Sequence, residues 1–136
     1  MGRRWRDGHG ELIVHGIENG DGDGVAEGGR AEAARIPLEI ATSYRARTKG
    51  LLGRDAVAGA LLLSPANSVH TFRMRMPIDV AYLDRHLRVL AVRTMRPGRL
   101  GLPRPAARHV VEAAAGVMAG WGLCQGARVE VVADAG

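Results

Sequence analysis

Two apolar arms, Asp79–Leu83 and Leu87–Met95, flank the polar turn Asp84-Arg85-His86. An Asp at the head of a turn favours it, because the side chain accepts hydrogen bonds from backbone just downstream. In the first arm Val80 and Tyr82 fall on one face and Ala81 and Leu83 on the other. A strand that is apolar on both faces is stable only inside a sheet covered on both sides, or in a closed barrel. The hairpin begins inside the stretch Ser68 to Asp84, SVHTFRMRMPIDVAYLD. That stretch is therefore expected to organise the domain and to lie where a ligand site is sought.

The other elements follow from β-branched runs and their stops. Glu11–Ile17 (ELIVHGI), Ile36–Ala41 (IPLEIA), Ala60–Leu63 (ALLL), Arg108–Ala113 (RHVVEA) and Arg128–Val132 read as strands. Val69–Arg73 reads as extended, and Met76-Pro77 disfavours helix at residue 76. Thr42 or Ser43 can cap a helix of about two turns, weakened at its end by Gly50 and Gly53. Gly116–Leu123 accommodates one further helical turn, and Arg96–Pro105 (RPGRLGLPRP) must be a loop. The expected fold is α+β, mostly β: a small compact barrel-like or strongly curved sheet with one or two short helices. A chain of 136 residues fits one domain. Residues 1–18 would give its N-terminal strand, residues 19–35 a mobile Gly/acidic loop, and residues 36–136 the body.

Composition removes several function classes. Cys124 is the sole cysteine, so no intrachain disulfide forms and nothing calls for an oxidising compartment. The start is charged, without the apolar core of a secretory signal. The longest aliphatic run, Ala56 to Leu63, is far short of the roughly 20 residues of a membrane span. No membrane span and a cytoplasmic location are expected. Asp21-Gly22-Asp23-Gly24 has the start of a calcium loop without its later oxygen ligands. His9, His15, His70, His86 and His109 form no zinc spacing. No metal or cofactor is expected. Net charge is +5, carried by the body of the chain and almost wholly by arginine. The arginines are spread and few aromatics lie between them for base stacking, so no nucleic-acid partner is expected.

Three segments carry a recognisable pattern: Arg47-Thr48-Lys49-Gly50-Leu51-Leu52-Gly53-Arg54, then His70 to Asp79 (HTFRMRMPID), then Val110-Val111-Glu112-Ala113 with Gly116, Gly122-Leu123 and Gly126. Together they resemble the Domain of Unknown Function 192 (DUF192) family. The first is similar to its R-x-x-G-L-M/L-x-R segment, the second to its central signature and the third to its ending. The resemblance spans Ile36 to Val132. It implies a compact β-rich fold with minor helices, and no reaction. This chain departs from the pattern at Arg73, where Trp or Gly is usual, at Met76 in place of Phe or Thr, and at Ala127, where Asp often follows the last Gly.

Polar residues inside these apolar segments are the candidate site. Arg47, His70, Phe72, Arg75, Asp79 and Glu112 are the expected binding residues, with no catalytic residue assigned. An Arg presents a planar fork to a carboxylate or phosphate, and His70 supplies a proton or hydrogen bond beside it. The competing structural account makes Arg47–Glu112 or Arg75–Asp79 internal salt bridges. Buried carboxylates are costly unless paired, so Asp79 and Glu112 should find Arg or backbone N–H partners. The leading expectation is a domain that binds a small anionic or polar ligand, or a protein partner. The alternatives are a hydrolase- or transferase-type enzyme using a carboxylate with His70, and an accessory or adaptor domain of a secretion or cell-surface system.

Overall fold

The computed structural model describes residues 5–16 and 33–135. Ile17, the Asp21–Gly24 spacing and most of the 19–35 segment lie outside the described residues. The strands are β1 (Gly8–His15), β2 (Ala34–Ala41), β3 (Ala60–Leu63), β4 (Ile78–Leu83), β5 (Val89–Met95), β6 (His109–Ala114) and β7 (Arg128–Ala133). Two short helices, α1 (Tyr44–Lys49) and α2 (Val117–Gly120), complete the element order. The strands form one sheet in the order β5-β4-β6-β3-β2-β1-β7. Only β2 and β3 pair in parallel; the other neighbours are antiparallel.

The sheet curls until its two edge strands meet at one corner. Backbone N–H groups of Val89, Gly126 and Val129 donate to the carbonyls of Ala127, Val89 and Leu87 at 2.8, 2.9 and 3.0 Å. The result is a half-barrel, mostly β, as expected from the doubly apolar hairpin. Meeting at the corner also gives backbone partners to edge groups that would otherwise be a template for aggregation.

Every residue of β3 and β4, and all of β6 but its last, is buried. The alternation read from the sequence assigns each face correctly. Ala81 and Leu83 pack inside the curl with Leu12, Leu38, Leu62 and Val111. Val80 and Tyr82 pack on the outer face with Leu51, Leu61, Met74 and Val110. Met118 of α2 and Leu123 plug the concave side, while α1 and the loops around residues 65–77 and 96–108 cover the convex one. The loops are needed because those strands expose apolar side chains on both faces, and about 25 cal/mol per Å² is lost for each area left wet.

Several boundaries differ from the sequence reading; β5, for one, begins at Val89 rather than Leu87, which lies in the turn at φ 62. β1 begins at Gly8 and β2 at Ala34, earlier than expected, because the two strands pair with each other from Gly8–Ile40 to Val14–Ala34. Val69–Arg73 is not a strand. It makes one isolated bridge, His70 to Leu100, and then turns. Arg73 lies at φ 62, the left-handed region that glycine occupies without strain. That conformation accounts for the Gly that the signature admits there.

Gly10 in β1 sits against β7, where an added Cβ would collide with the Val132 carbonyl oxygen and lie 2.9 Å from the Ala133 Cα. Backbone of a central strand cannot move aside cheaply. Gly10→Ala is expected to cost about 2 kcal/mol, within the range for overpacking a tight core, and to be read as a lower urea midpoint with unchanged slope.

Candidate functional site

Ser43 starts α1: its hydroxyl accepts from the Ala46 N–H at 3.1 Å. Asp7, just before β1, accepts from the N–H groups of Thr42 and Ser43 at 2.6 and 2.9 Å, which pins the helix entrance to the sheet. Hydrogen bonds from Ser43, then Thr42, hold the Asp7 carboxyl far below its usual range. Gly50 ends α1 at φ 44, and its N–H donates to the Ala46 carbonyl. An added Cβ at Gly50 would lie 3.6 Å from both the Arg47 carbonyl and Glu112 Oε1. The helix stop therefore sets the wall of the space beside Glu112.

Glu112 is central to that space. It lies in β6 opposite Leu61 of β3 and Val80 of β4, on the convex face. Only 2% of it is exposed. Its Oε1 is buried with no hydrogen-bond partner among the described residues. Burial among aliphatic neighbours disfavours the ionised form and pushes the carboxyl up from 4.5 to about 7. The expectation that Glu112 finds an Arg or backbone partner is thus not met.

Arg47, His70 and Glu112 line one cavity of about 80 Å³, together with Thr48, Lys49 and Ser68. It adjoins a groove of about 450 Å³ along Tyr44, Asn67 and Arg108, with Arg47, Thr48, Leu63 and Ser68 lining both. Arg47 does not bridge to Glu112. Its Nε and Nη1 each donate at 3.1 Å to the carbonyls of Thr42 and Pro65. Those bonds fix the guanidinium plane at the mouth and leave Nη2 without a partner among the described residues. His70 is exposed and its ring stacks on Phe72, with centroids 5.2 Å apart and planes at 22°.

The other two expected residues lie elsewhere. Arg75 reaches Asp55 at 3.4 Å in an exposed pair, where screening leaves little energy. Asp79 points to the concave face, opposite to Glu112. Its Oδ1 accepts from the Thr94 hydroxyl at 2.6 Å, and its Oδ2 from the N–H groups of Gly116 and Met118 at 2.9 and 3.2 Å. Asp79 caps α2, so it meets the expectation of backbone N–H partners. Neither salt bridge of the structural account forms: the Thr42 and Pro65 carbonyls hold Arg47 Nε and Nη1 at the mouth, and the sheet separates the Asp79 carboxyl from the convex side.

Thr48, Lys49 and Ser68 are lining residues that the sequence reading passed over. Their position within or beside the matched segments was the available signal. A buried polar pair was passed over as well: Ser64 Oγ and His109 Nδ1 are 2.7 Å apart, and Trp5 meets the His109 ring edge-on at 5.1 Å. No group of three metal-ligating side chains occurs among the described residues, and none of their helices is long and apolar enough to cross a membrane.

The DUF192 family model, described as an uncharacterized ACR, matches residues 25–131. A UPF0127 protein of Pyrococcus horikoshii is 32% identical over 85 residues, covering 59% of this chain and 74% of the relative. One from Pyrococcus furiosus is 26% identical over 106 residues, covering 74% and 91%. Two crystal structures share the fold. A Sinorhizobium meliloti protein, described as a candidate transcription regulator, has a TM-score of 0.73 at 13% identity, over 95% of this chain and 98% of that one. A protein of unknown function from Novosphingobium aromaticivorans has a TM-score of 0.70 at 19% identity, over 88% and 83%.

Proposed function

The chain belongs to the DUF192 family, and from its cleft we propose that it binds a small polar ligand through Arg47 at the mouth and Glu112 at the inner end. The observation that carries this reading is the buried Glu112 carboxyl, its Oε1 without a partner among the described residues, in a cavity shared with an oriented arginine. A buried polar atom left without a partner costs about 1–3 kcal/mol, which a ligand recovers by hydrogen bonding to it. The groove's volume is that of an ordinary small-molecule site. An oxyanion or carbonyl of the ligand meets the free Nη2 of Arg47, and an N–H or O–H group meets Glu112. Lys49 and His70 add positive or hydrogen-bonding character on the flanks.

The test is an NMR screen of small carboxylates, phosphates and amino acids against the isotope-labelled chain. Hits are expected to shift amides of residues 47–50, 68–70 and 112. Arg47→Lys and Glu112→Gln should each weaken a hit about tenfold or more, because each removes a charge-assisted or geometrically matched bond. Hits that bind both variants as tightly as the parent would sink the reading. Arg75→Ala serves as the control expected to leave affinity unchanged.

A second reading draws on the same carboxyl. A buried acid titrating at about 7 in a cavity it shares with an imidazole is suited to proton transfer. It predicts that a bound hit is also converted, with Glu112→Gln abolishing turnover. A hit that stays chemically intact over prolonged incubation argues for binding alone.

A further inference from the structure

Leu100 and Leu102 are 67% and 80% exposed, and Phe72 is 47% exposed. These belong to two adjacent segments rather than to scattered positions. Thr71 N–H donates to the Arg99 carbonyl at 2.8 Å, Gly98 N–H to the Thr71 carbonyl at 2.7 Å, and Gly101 N–H to the Val69 carbonyl at 2.7 Å. The Thr71 hydroxyl adds a bond to the Arg96 carbonyl at 2.6 Å. The loop is thus pinned by its backbone while its leucines point to solvent, an arrangement that costs apolar hydration and serves no core.

Arginines surround it. Arg93, Arg96, Arg99 and Arg104 line a shallow hollow of about 510 Å³ with Leu100 and Leu102. No carboxylate lines that hollow, and none of the four guanidinium groups makes a salt bridge among the described residues. Arg104 lies over the Tyr82 ring, 4.7 Å from its centroid, and its Nε is buried with no hydrogen-bond partner among the described residues. Exposed Arg73 follows Phe72 on the neighbouring turn.

We propose that this face, the 96–105 loop with the Phe72 turn, docks on an anionic lipid surface. Leu100 and Leu102 enter the boundary between headgroups and acyl chains, and Arg93, Arg96 and Arg99 meet lipid phosphates. Charge complementarity selects an anionic partner, since every charged side chain lining the patch among the described residues is an arginine. The exposed leucines select lipid over nucleic acid: aliphatic side chains partition into acyl chains, whereas bases are held by stacking on aromatic rings, and of the described rings here Phe72 and His70 are exposed while Tyr82 is buried beneath Arg104. Two signals, apolar and basic, acting together are what stable surface anchoring takes. The His70–Leu100 bridge places the docked face next to the cleft of Glu112.

The test is co-sedimentation of the full chain with vesicles of phosphatidylcholine alone and of phosphatidylcholine mixed equally with phosphatidylglycerol. Binding is expected only to the anionic vesicles and is expected to fade as salt is raised. Arg96→Gln with Arg99→Gln should weaken it about 25-fold, at roughly fivefold per basic residue. Leu100→Ser with Leu102→Ser should weaken it about tenfold or more. All four positions are exposed, and unchanged thermal melts would confirm that the variants fold. Failure of the parent to bind anionic vesicles overturns the proposal. So does binding that ignores the leucine substitutions and is displaced by inorganic phosphate or by duplex DNA, which would mark a phosphate or nucleic-acid site instead.

Discussion

Asp79→Ala is expected to lower the unfolding free energy by roughly 3 kcal/mol, enough to drop the melting temperature by about 10 °C. The buried carboxylate holds three donors at once: the Thr94 hydroxyl on β5 and the N–H groups of Gly116 and Met118 at the start of α2. α2 is four residues long, and its cap position is Gly116, which has no side chain to satisfy those N–H groups. Asp79 does so from across the fold. With alanine the buried backbone donors lose their acceptor and Met118 loses the restraint that keeps it in the concave core. Asp79→Asn keeps one carbonyl oxygen and loses the charge, so about half the cost should remain. Urea titrations of the two variants and the parent at one pH decide the matter. An alanine variant as stable as the parent would show that Asp79 is not a structural cap.

The second large effect is one of pH. Glu112 titrates at about 7 in the folded chain against 4.5 as a free side chain, because burial disfavours its charge. Between those values the folded state holds a proton that the unfolded state has released. Stability from this group is therefore fully present below about 4.5, falls as pH rises, and is spent above about 7. The loss is on the order of 3 kcal/mol. Two carboxyls act in the opposite sense. Asp7, held low by Ser43 and Thr42, and Glu39, held low by its paired hydrogen bonds from Arg54, contribute stability that is lost as pH falls through their folded values. Comparing Glu112→Gln with the parent cancels those two. The variant should match the parent near pH 4 and exceed it by about 3 kcal/mol at pH 8. A difference that stays flat from pH 4 to 8 would mean that Glu112 ionises normally. Such a gain in stability on removing a buried acid would also fit a residue retained for binding rather than for folding.

Much of the fold was legible because its signals are local. The Asp79–Met95 hairpin carries its own alternation and turn, and both faces of β4 are buried as that pattern requires. Ser43 starts α1 through its hydroxyl and Gly50 ends it through its backbone freedom at positive φ, both as the sequence implies. Where β1 and β2 begin was not legible, because Gly8, His9 and Ala34 become strand only through pairing with distant residues. Val69–Arg73 has strand-like composition but turns. Its backbone donors and acceptors are taken by the 96–101 loop, a partner about 30 residues away.

The site divides in the same way. Sequence reasoning marked Arg47, His70 and Glu112 as costly residues in apolar segments, and they share a cavity. It also marked Arg75 and Asp79, which the fold sends to Asp55 and to α2. A residue's burial cost can be read from its neighbours along the chain; the partner that offsets it cannot, since it comes from whichever strand or loop the sheet brings alongside. Asp79 and Glu112 make the point as a pair. Both are acids in strands with nearly every residue buried, and both are 2–3% exposed. The strand period sends one to the concave face, where two N–H groups and a hydroxyl await it, and the other to the convex face, where it lines a cavity and its Oε1 meets no partner among the described residues. The hairpin and its two-faced burial were thus determined by the sequence alone, because alternation is a local property. Which acid became a cap and which found no partner among the described residues was decided by tertiary structure, because hydrogen bonding is settled by proximity in space.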